Sequence, residues 1–376
     1  MNINNLQNIQ KAPDNWSPIF DFKEDLVSLK EKVQPYEKYE KIIVIGNGGS
    51  ITSLEAYYRA LSPKKEVFIL STMEPRLLKD LKLKCHQEET LVLIISKSGE
   101  NLGPIESLLA FDGYPTLVIT NPNRGALREI AKIKGWEIIP HPEIGGRFSG
   151  GTATAIVPSL LCGLDIEKIL DGLQVGYGLK DQAYSLSSAL YDLEQKGITE
   201  IYLPIYSNYL MGFLNMIVQL MHESVCKDNK GQTFYGAFSP ESQHHTNQRF
   251  LGGKKNVAAI FLTYQGPKDL KISVADELKE VQIRSEKLDF IDGIAYQDSL
   301  LSEYLGTKQD ADKKGITNFT IDLPEINELE VGTLLGFWHL VAFYSSVLRN
   351  VNPFDQPAVE DSKAITVDEI KRLSRV

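Results

Sequence analysis

Disulfide bonds do not organise this chain. Its 376 residues include three cysteines, Cys85, Cys162 and Cys226, odd in number and far apart. That usage excludes a disulfide framework and fits a reduced, cytoplasmic protein. Basic clusters are lacking too: 40 Lys and Arg stand against 49 Asp and Glu, a formal net charge of −9. With no dense Lys/Arg run, general nucleic-acid binding is excluded. No uninterrupted apolar run reaches the roughly 18 residues of a membrane span, so no membrane partner is expected. The stretch "MNINNLQNIQKAPDNW" has no apolar core, so no secretory signal is expected. Low-complexity tracts and short-period repeats are absent. What is present is ordinary for a globular protein: 43% hydrophobic and 24% charged residues, in a chain long enough for two or three structural units.

Short apolar runs alternate with helical patterns. "KIIVIG" (41–46), "EVFIL" (66–70), "LVLIIS" (91–96), "TLVIT" (116–120) and "WEIIP" (136–140) read as strands. "SITSLEAYYRAL" (50–61) has helical spacing. A second, weaker series holds "EIYLPIYS" (200–207), "VAAIFLTY" (257–264) and "ITNFTIDLP" (316–324), with helices near 209–223 and 329–350. Continuous apolar strands separated by helices predict parallel sheets covered on both faces. The expectation is an α/β protein of two doubly wound units, 38–180 and 181–350, after a helical lead-in (1–37) and before a C-terminal helical arm (351–376).

"GNGGS" (46–50) ends the first strand and opens a helix, where backbone N–H groups favour anions. It is not the dinucleotide fingerprint, because Ile51 stands where the last glycine belongs, and no Gly-Lys-Ser/Thr follows to make a P-loop. Alone, the stretch is equally a tight turn that binds nothing. "SKSGEN" (96–101) changes the balance. It ends another strand of the same sheet and brings the hydroxyls of Ser96 and Ser98, the charge of Lys97 and the close approach allowed by Gly99. Two Ser/Gly loops at neighbouring strand ends form a bipartite anion site suited to a phosphate monoester. "HESVC" (222–226) lacks the second histidine of a zinc helix, Cys226 standing in its place, and no third ligand follows at suitable spacing; no metal site is expected.

These loops, with "GGRFSGGTATAIVPSLLCGLDI" (145–166), "HESVCKDNKG" (222–231), "SPESQHHTNQRFLGG" (239–253) and "VNPFDQPAVEDSK" (351–363), resemble the glucose-6-phosphate isomerase family and its sugar isomerase fold, in order across most of the chain. The resemblance implies a compact aldose–ketose isomerase of glycolysis and gluconeogenesis. It would convert glucose 6-phosphate and fructose 6-phosphate through an enediol(ate), with neither metal nor organic cofactor, as a homodimer with shared active sites. Glu223 matches the base that shuttles the C1/C2 proton, and Arg147 the guanidinium that faces the enediolate. His244 and Lys363 match the ring-opening pair. Gly49, Ser50, Ser96, Lys97, Ser98, Asn101, Gly146 and Gln356 match substrate contacts.

His244 and Gln248 are spaced i, i+4 for one helix starting at Ser239 and Pro240; the resemblance, in which the His-to-Gln spacing is four, implies His244 and not the neighbouring His245. Gln356 and Lys363 would share a face if the segment past Pro357 is helical. The sequence departs from the family at Glu100 and Asn101, where threonines are usual, at Asn47, usually apolar, and at Cys226 and Ala358, usually glycine. A carboxylate beside a phosphate site is unfavourable unless Glu100 turns away. Two alternatives accompany this reading: a dual glucose/mannose 6-phosphate isomerase, and a non-catalytic sugar-phosphate sensor. Gln356 weighs against the first; Glu223, His244 and Lys363 together weigh against the second.

Overall fold

The computed structural model describes residues 1–6 and 8–373; position 7 of the expected lead-in and 374–376 of the expected arm lie outside the described residues. A strand, β1 (Asn2–Asn4), and a helix, α1 (Leu26–Val33), come first. The first unit follows: β2 (Lys41–Ile45), α2 (Thr52–Leu61), β3 (Glu66–Leu70), α3 (Pro75–Lys84), β4 (Thr90–Ser96), α4 (Leu102–Leu109), β5 (Thr116–Thr120), α5 (Ala126–Lys134) and β6 (Glu137–Pro140). Three helices lead on, α6 (Ala153–Cys162), α7 (Ile166–Gly178) and α8 (Lys180–Gln195). The second unit holds β7 (Glu200–Ile205), α9 (Gly212–Val225), β8 (Thr233–Phe238), α10 (Thr246–Gly252) and β9 (Val257–Tyr264). A small hairpin, β10 (Gln282–Ile283) and β11 (Glu286–Lys287), precedes α11 (Tyr296–Lys313), β12 (Asn318–Leu323), α12 (Glu328–Leu348) and α13 (Glu360–Leu373).

The first sheet is ordered β3-β2-β4-β5-β6, all parallel. The second is ordered β1-β12-β9-β7-β8, parallel except for β1. In each unit the chain leaves its first strand on one side and returns on the other. The crevice where ligands collect therefore lies at the carboxyl ends of β2 and β4, and again of β7 and β9. Besides the small β10–β11 hairpin, two strands of the large sheets lie outside the sequence expectation. β8 is an edge strand, "TFYGAF", whose apolar run is broken by Gly236. β1 is a polar edge, "NIN", so the lead-in adds a strand to its helix. Edge strands need only one partner and one covered face, so neither carries a strong apolar signal.

Alternating side chains build the layers. Ile42 and Val44 of β2 join a central core with α2, α6 to α9 and α12, while Ile43 and Ile45 join a second cluster under α3, α4 and α5. Tyr202, Phe261 and Tyr304 form a third cluster on the outer face of the second sheet. The central core reaches both sheets, which makes the two units one packed body. Its axis is α12, 21 residues long and apolar on all sides. By length and composition this helix could cross a membrane, but 89% of its apolar window is buried within the protein.

α12 and α7 approach main chain to main chain. Each carries glycines four apart, Gly172 and Gly176 on α7, Gly332 and Gly336 on α12. A Cβ on Gly332 would lie 2.0 Å from the Ile169 carbonyl oxygen, and one on Gly176 would lie 2.4 Å from that of Thr333. Gly306, on the exposed face of α11, meets nothing within 4 Å. Gly332→Ala is expected to lower stability by about 3 kcal/mol, because the methyl must displace main chain. Gly306→Ala is expected to raise it by up to about 1 kcal/mol through helix propensity. Urea unfolding of the two variants checks the opposite signs.

Candidate active site

β2 turns into α2 through "GNGGS", with Gly48–Ser50 forming one tight turn. Gly48 sits at φ +53, a conformation that favours glycine. Gly49 has no room for a side chain: a Cβ there would lie 2.3 Å from the Arg147 nitrogen. The first loop is thus stacked directly on Gly146 and Arg147, and Ser149 Oγ donates to the Gly49 carbonyl at 3.3 Å. Ser50 is half-buried beside them. Asn47, in the amide orientation that satisfies both of its groups, donates to the carbonyls of Ser71 and Gly46 at 3.1 and 2.9 Å. A polar residue there ties the loop to the end of β3, which accounts for the departure from an apolar residue.

β4 lies beside β2 with Ile94 opposite Ile45, so "SKSG" emerges next to the first loop. Ser96 is buried, and its Oγ accepts from Gly99 N at 3.2 Å. Ser98 Oγ accepts from Glu100 N at 3.2 Å. Lys97 Nζ stands 3.8 Å from Glu143. Glu100 does turn away. Its Oε1 accepts from Ala126 N at 3.0 Å, at the start of α5, where an anion is favoured by the exposed N–H groups. Asn101 occupies the N-cap position of α4 without a side-chain cap bond and is exposed.

Arg147 is the centre of the arrangement. It is 5% exposed, and its guanidinium meets two distant segments, the end of α9 and the stretch after α12. Nη1 donates to Glu223 Oε2 at 2.8 Å. Nε donates to Ser224 Oγ at 2.9 Å and to the Pro353 carbonyl at 3.2 Å. Nη2 donates to the carbonyls of Pro353 and Asp355 at 2.6 and 2.7 Å. Of five guanidinium N–H groups, one on Nη1 is unengaged among the described residues. Lys227 secures the same C-terminal segment, pairing with Asp355 at 2.7 Å and donating to the Asn352 carbonyl. That ammonium holds the Asp355 carboxyl below its ordinary pKa.

Glu223 lies in the last turn of α9 and is half-buried. Its second oxygen, Oε1, accepts from Gln219 Nε2 at 2.8 Å, and Gln219 Oε1 in turn accepts from Thr52 Oγ1 at 2.8 Å. A chain of contacts therefore runs from the start of α2, through Gln219 and Glu223, to Arg147. Gln219, Thr52 and Ser224 are not among the residues that the sequence singles out. Gln219 stands i−4 from Glu223 on one helix face, the spacing at which a partner is found. Ser224 and Thr52 carry no such signal. A cleft of about 690 Å³ opens beside Glu223, lined among others by His222, Lys227, Gln356 and Val359.

The structure brings Gly49, Gly146, Arg147, Glu223 and Gln356 together, with Ser50, Ser96, Lys97 and Ser98 at the adjoining strand ends. It does not bring His244 or Lys363 to them within one chain. His244 ends a tight turn, Glu241–His244, and is exposed; α10 begins only at Thr246. The single helix expected from Ser239 to Gly252 is broken at His245, whose φ −145 and ψ −64 leave the helical region. His244 and Gln248 therefore do not share one helical face. His245 pairs with Glu241 at 2.8 Å. Lys363, on the exposed α13, pairs with Glu360 at 2.7 Å. Gln356 lies outside the helical region at φ −155 and ψ 66, and a 3-10 turn (Pro357–Val359) separates it from α13, so it shares no helical face with Lys363. The proline at 357 imposes that break. His222 Nε2 accepts from Phe234 N at 2.8 Å, so this nitrogen caps the edge of β8.

No family model matches the chain. It is 30% identical over 363 residues to the glucose-6-phosphate isomerase of Methanocaldococcus jannaschii, spanning 91% of this chain and 87% of that one. It is 27% identical over 374 residues to the glucose-6-phosphate isomerase of Acholeplasma laidlawii, 92% and 86% of the two chains. Among solved structures, a hypothetical protein from Thermus thermophilus superposes with a TM-score of 0.84 at 23% identity, over 94% of this chain and 89% of that one. A glucose-6-phosphate isomerase from Chlamydia trachomatis gives 0.77 at 19%, over 93% and 73%. The structural likenesses establish the fold, that of the phosphosugar isomerases. Sequence identity over nine-tenths of the length adds the kinship: this chain belongs to the glucose-6-phosphate isomerase family.

Proposed function

We propose that this chain is an aldose–ketose isomerase that interconverts glucose 6-phosphate and fructose 6-phosphate. The observation that carries the reading is the carboxylate of Glu223, held by Arg147 and by Gln219, which lies against Gly48 of the first anion loop. The loops after β2 and β4 take the phosphate. Ser50, Ser96 and Ser98 supply hydroxyls, Lys97 supplies charge, and the start of α2 supplies N–H groups. Gly49 and Gly146 contribute main-chain contacts from two loops that their missing side chains let stack on each other, while Gln356 faces the sugar from the cleft wall. Asn101, exposed at the start of α4, is placed to reach the phosphate.

Glu223 is the base. Both of its oxygens are engaged, yet each keeps a lone pair, so the carboxylate is oriented without being consumed. It takes the proton from C2 of the open-chain aldose and returns it to C1 on the same face. The charge that develops on the enediolate meets Arg147, which cannot give up its own proton. The unengaged Nη1 hydrogen is the one directed to it. No step requires a metal or an organic cofactor. Ring opening falls to His244 and Lys363. The exposure of His244, which makes no hydrogen bond to Glu223 among the described residues, supports a homodimer in which His244 serves the partner's site.

In a coupled assay on fructose 6-phosphate with EDTA present, the wild type is expected to turn over. Glu223→Gln is expected to lower kcat by about 10³, with KM little changed; full activity in this variant contradicts the base assignment. Ser50→Ala is expected to raise KM for the phosphorylated sugar about tenfold, the loss of one charge-assisted hydrogen bond. Steady-state kinetics on the purified variant decide that point. Glu223→Gln and His244→Ala subunits, each inactive alone, are expected to regain about a quarter of the wild-type rate when co-expressed, since half the dimers then hold one intact composite site. No recovery in the mixture contradicts the shared-site dimer.

A further inference from the structure

We propose that His339 is a positioning residue for Arg147, acting through the main chain of the loop that carries the guanidinium; this rests on the enediolate-facing role given to Arg147 above. His339 sits in the middle of α12, inside "LLGFWHLVAF", and is 0% exposed. A polar ring there costs stability unless its nitrogens find partners, and an apolar residue would fill the same space. The close contact of α7 and α12 sets its surroundings. Gly176 precedes Tyr177, and Gly336 lies one turn before His339, so the helices approach until the Tyr177 hydroxyl stands 3.0 Å from His339 Nδ1. The ring also stacks on Tyr177, and Phe148, the residue after Arg147, packs against it with centroids 5.4 Å apart.

Hydrogen accounting assigns the tautomer. The 3.0 Å bond between the Tyr177 hydroxyl and Nδ1 can run either way; with the hydroxyl donating, Nε2 carries the ring hydrogen. In this structure Nε2 is buried without a hydrogen-bond partner, and the main-chain carbonyl of Arg147, next to the Phe148 that packs on the ring, is near enough to raise the ring's pKa against the effect of burial. The opposite tautomer would leave Nε2 as an acceptor facing another acceptor. Burial holds the ring's pKa down to about 3, so it stays neutral and its tautomer persists at physiological pH. Tyr177 O–H to Nδ1, and Nε2–H toward the Arg147 carbonyl, forms a relay that stops the "GGRFSGG" loop from rotating. Such contacts are commonly long before substrate arrives and tighten around it.

The test uses the full chain and four variants: Tyr177→Phe, His339→Gln, His339→Leu and Arg147→Lys. Histidine ¹⁵N NMR is expected to show His339 as the neutral Nε2–H tautomer between pH 5 and 8; the Nδ1–H tautomer or a protonated ring overturns the relay. In steady-state kinetics, Tyr177→Phe and His339→Leu are expected to lower kcat roughly tenfold at unchanged KM. His339→Gln, able both to accept and to donate, is expected to recover most of that loss. Each effect is expected to vanish in the Arg147→Lys background, as for residues acting in one chain. A fall in melting temperature with kcat unchanged, or losses additive with Arg147→Lys, overturns the proposal. Should His339→Leu fail to fold, Tyr177→Phe decides, since it removes only a hydroxyl. A wild type without turnover overturns the isomerase reading instead, and the tautomer then decides the relay.

Discussion

A buried guanidinium must be surrounded by acceptors, and most of this site follows from that requirement. Arg147 cannot shed its charge, so removal from water is tolerated only where oxygens replace it on nearly every side. Four of its five hydrogen bonds go to atoms that are fixed or constrained by packing: the carbonyls of Pro353 and Asp355, and the hydroxyl of Ser224. The remaining one goes to Glu223. A loop of the first unit, a helix end of the second and the segment after α12 are thereby pinned at one point. Removing the segment 351–357 would strip the buried guanidinium of the Pro353 and Asp355 carbonyls, and removing the helix end would strip it of its counter-charge.

The two units share the order of their first four strands, all parallel, so either crevice could hold a ligand. What distinguishes the first is traffic through the central helices. α9 starts beside α2, where a Cβ on Gly212 would lie 2.7 Å from the Glu55 carbonyl, and it ends under the "GGRFSGG" loop. Its last turn therefore delivers Glu223 from the second unit to the loops of the first. The glycine contact of α7 with α12 sets the depth at which these layers meet. A side chain at Gly332 or Gly176 would separate them and shift the floor on which Phe148 and Arg147 rest.

Departures from the family become intelligible in these terms. Glu100 would oppose a phosphate if it faced the loop, but it caps the start of α5, where its charge is favourable. Asn47 serves as a tie to Ser71. Cys226 follows the last turn of α9, and the loop beyond it closes against its side chain at Gly231, whose φ of +97 suits only glycine. Changes in the sequence around the pocket are absorbed locally and leave Glu223 and Arg147 in place.

The strands, the two anion loops and the family pattern are legible in the residues themselves, because apolar runs and Gly-rich turns are properties of adjacent residues. β2, β4 and β5 are buried on both faces, and their continuous apolar runs declare it. β1 and β8 are legible only once a neighbour is in place, since an edge strand draws its identity from the strand it pairs with. The break at His245 is likewise hidden: the Ser-Pro start, the i, i+4 spacing and the Gly-Gly stop all favour one helix, and the packing of Asn247 and Phe250 into the core selects another register. Glu223 and Arg147 can be named from the pattern around each, but their pairing cannot, for 76 residues separate them. Neither can the supporting Gln219, Thr52 and Tyr177–His339 contacts. Local chemistry determined what each segment is. Which side chains satisfy one another was decided by the folded chain alone, because the energy that holds such pairs is the burial of surfaces from segments far apart, realised only when all of them pack at once.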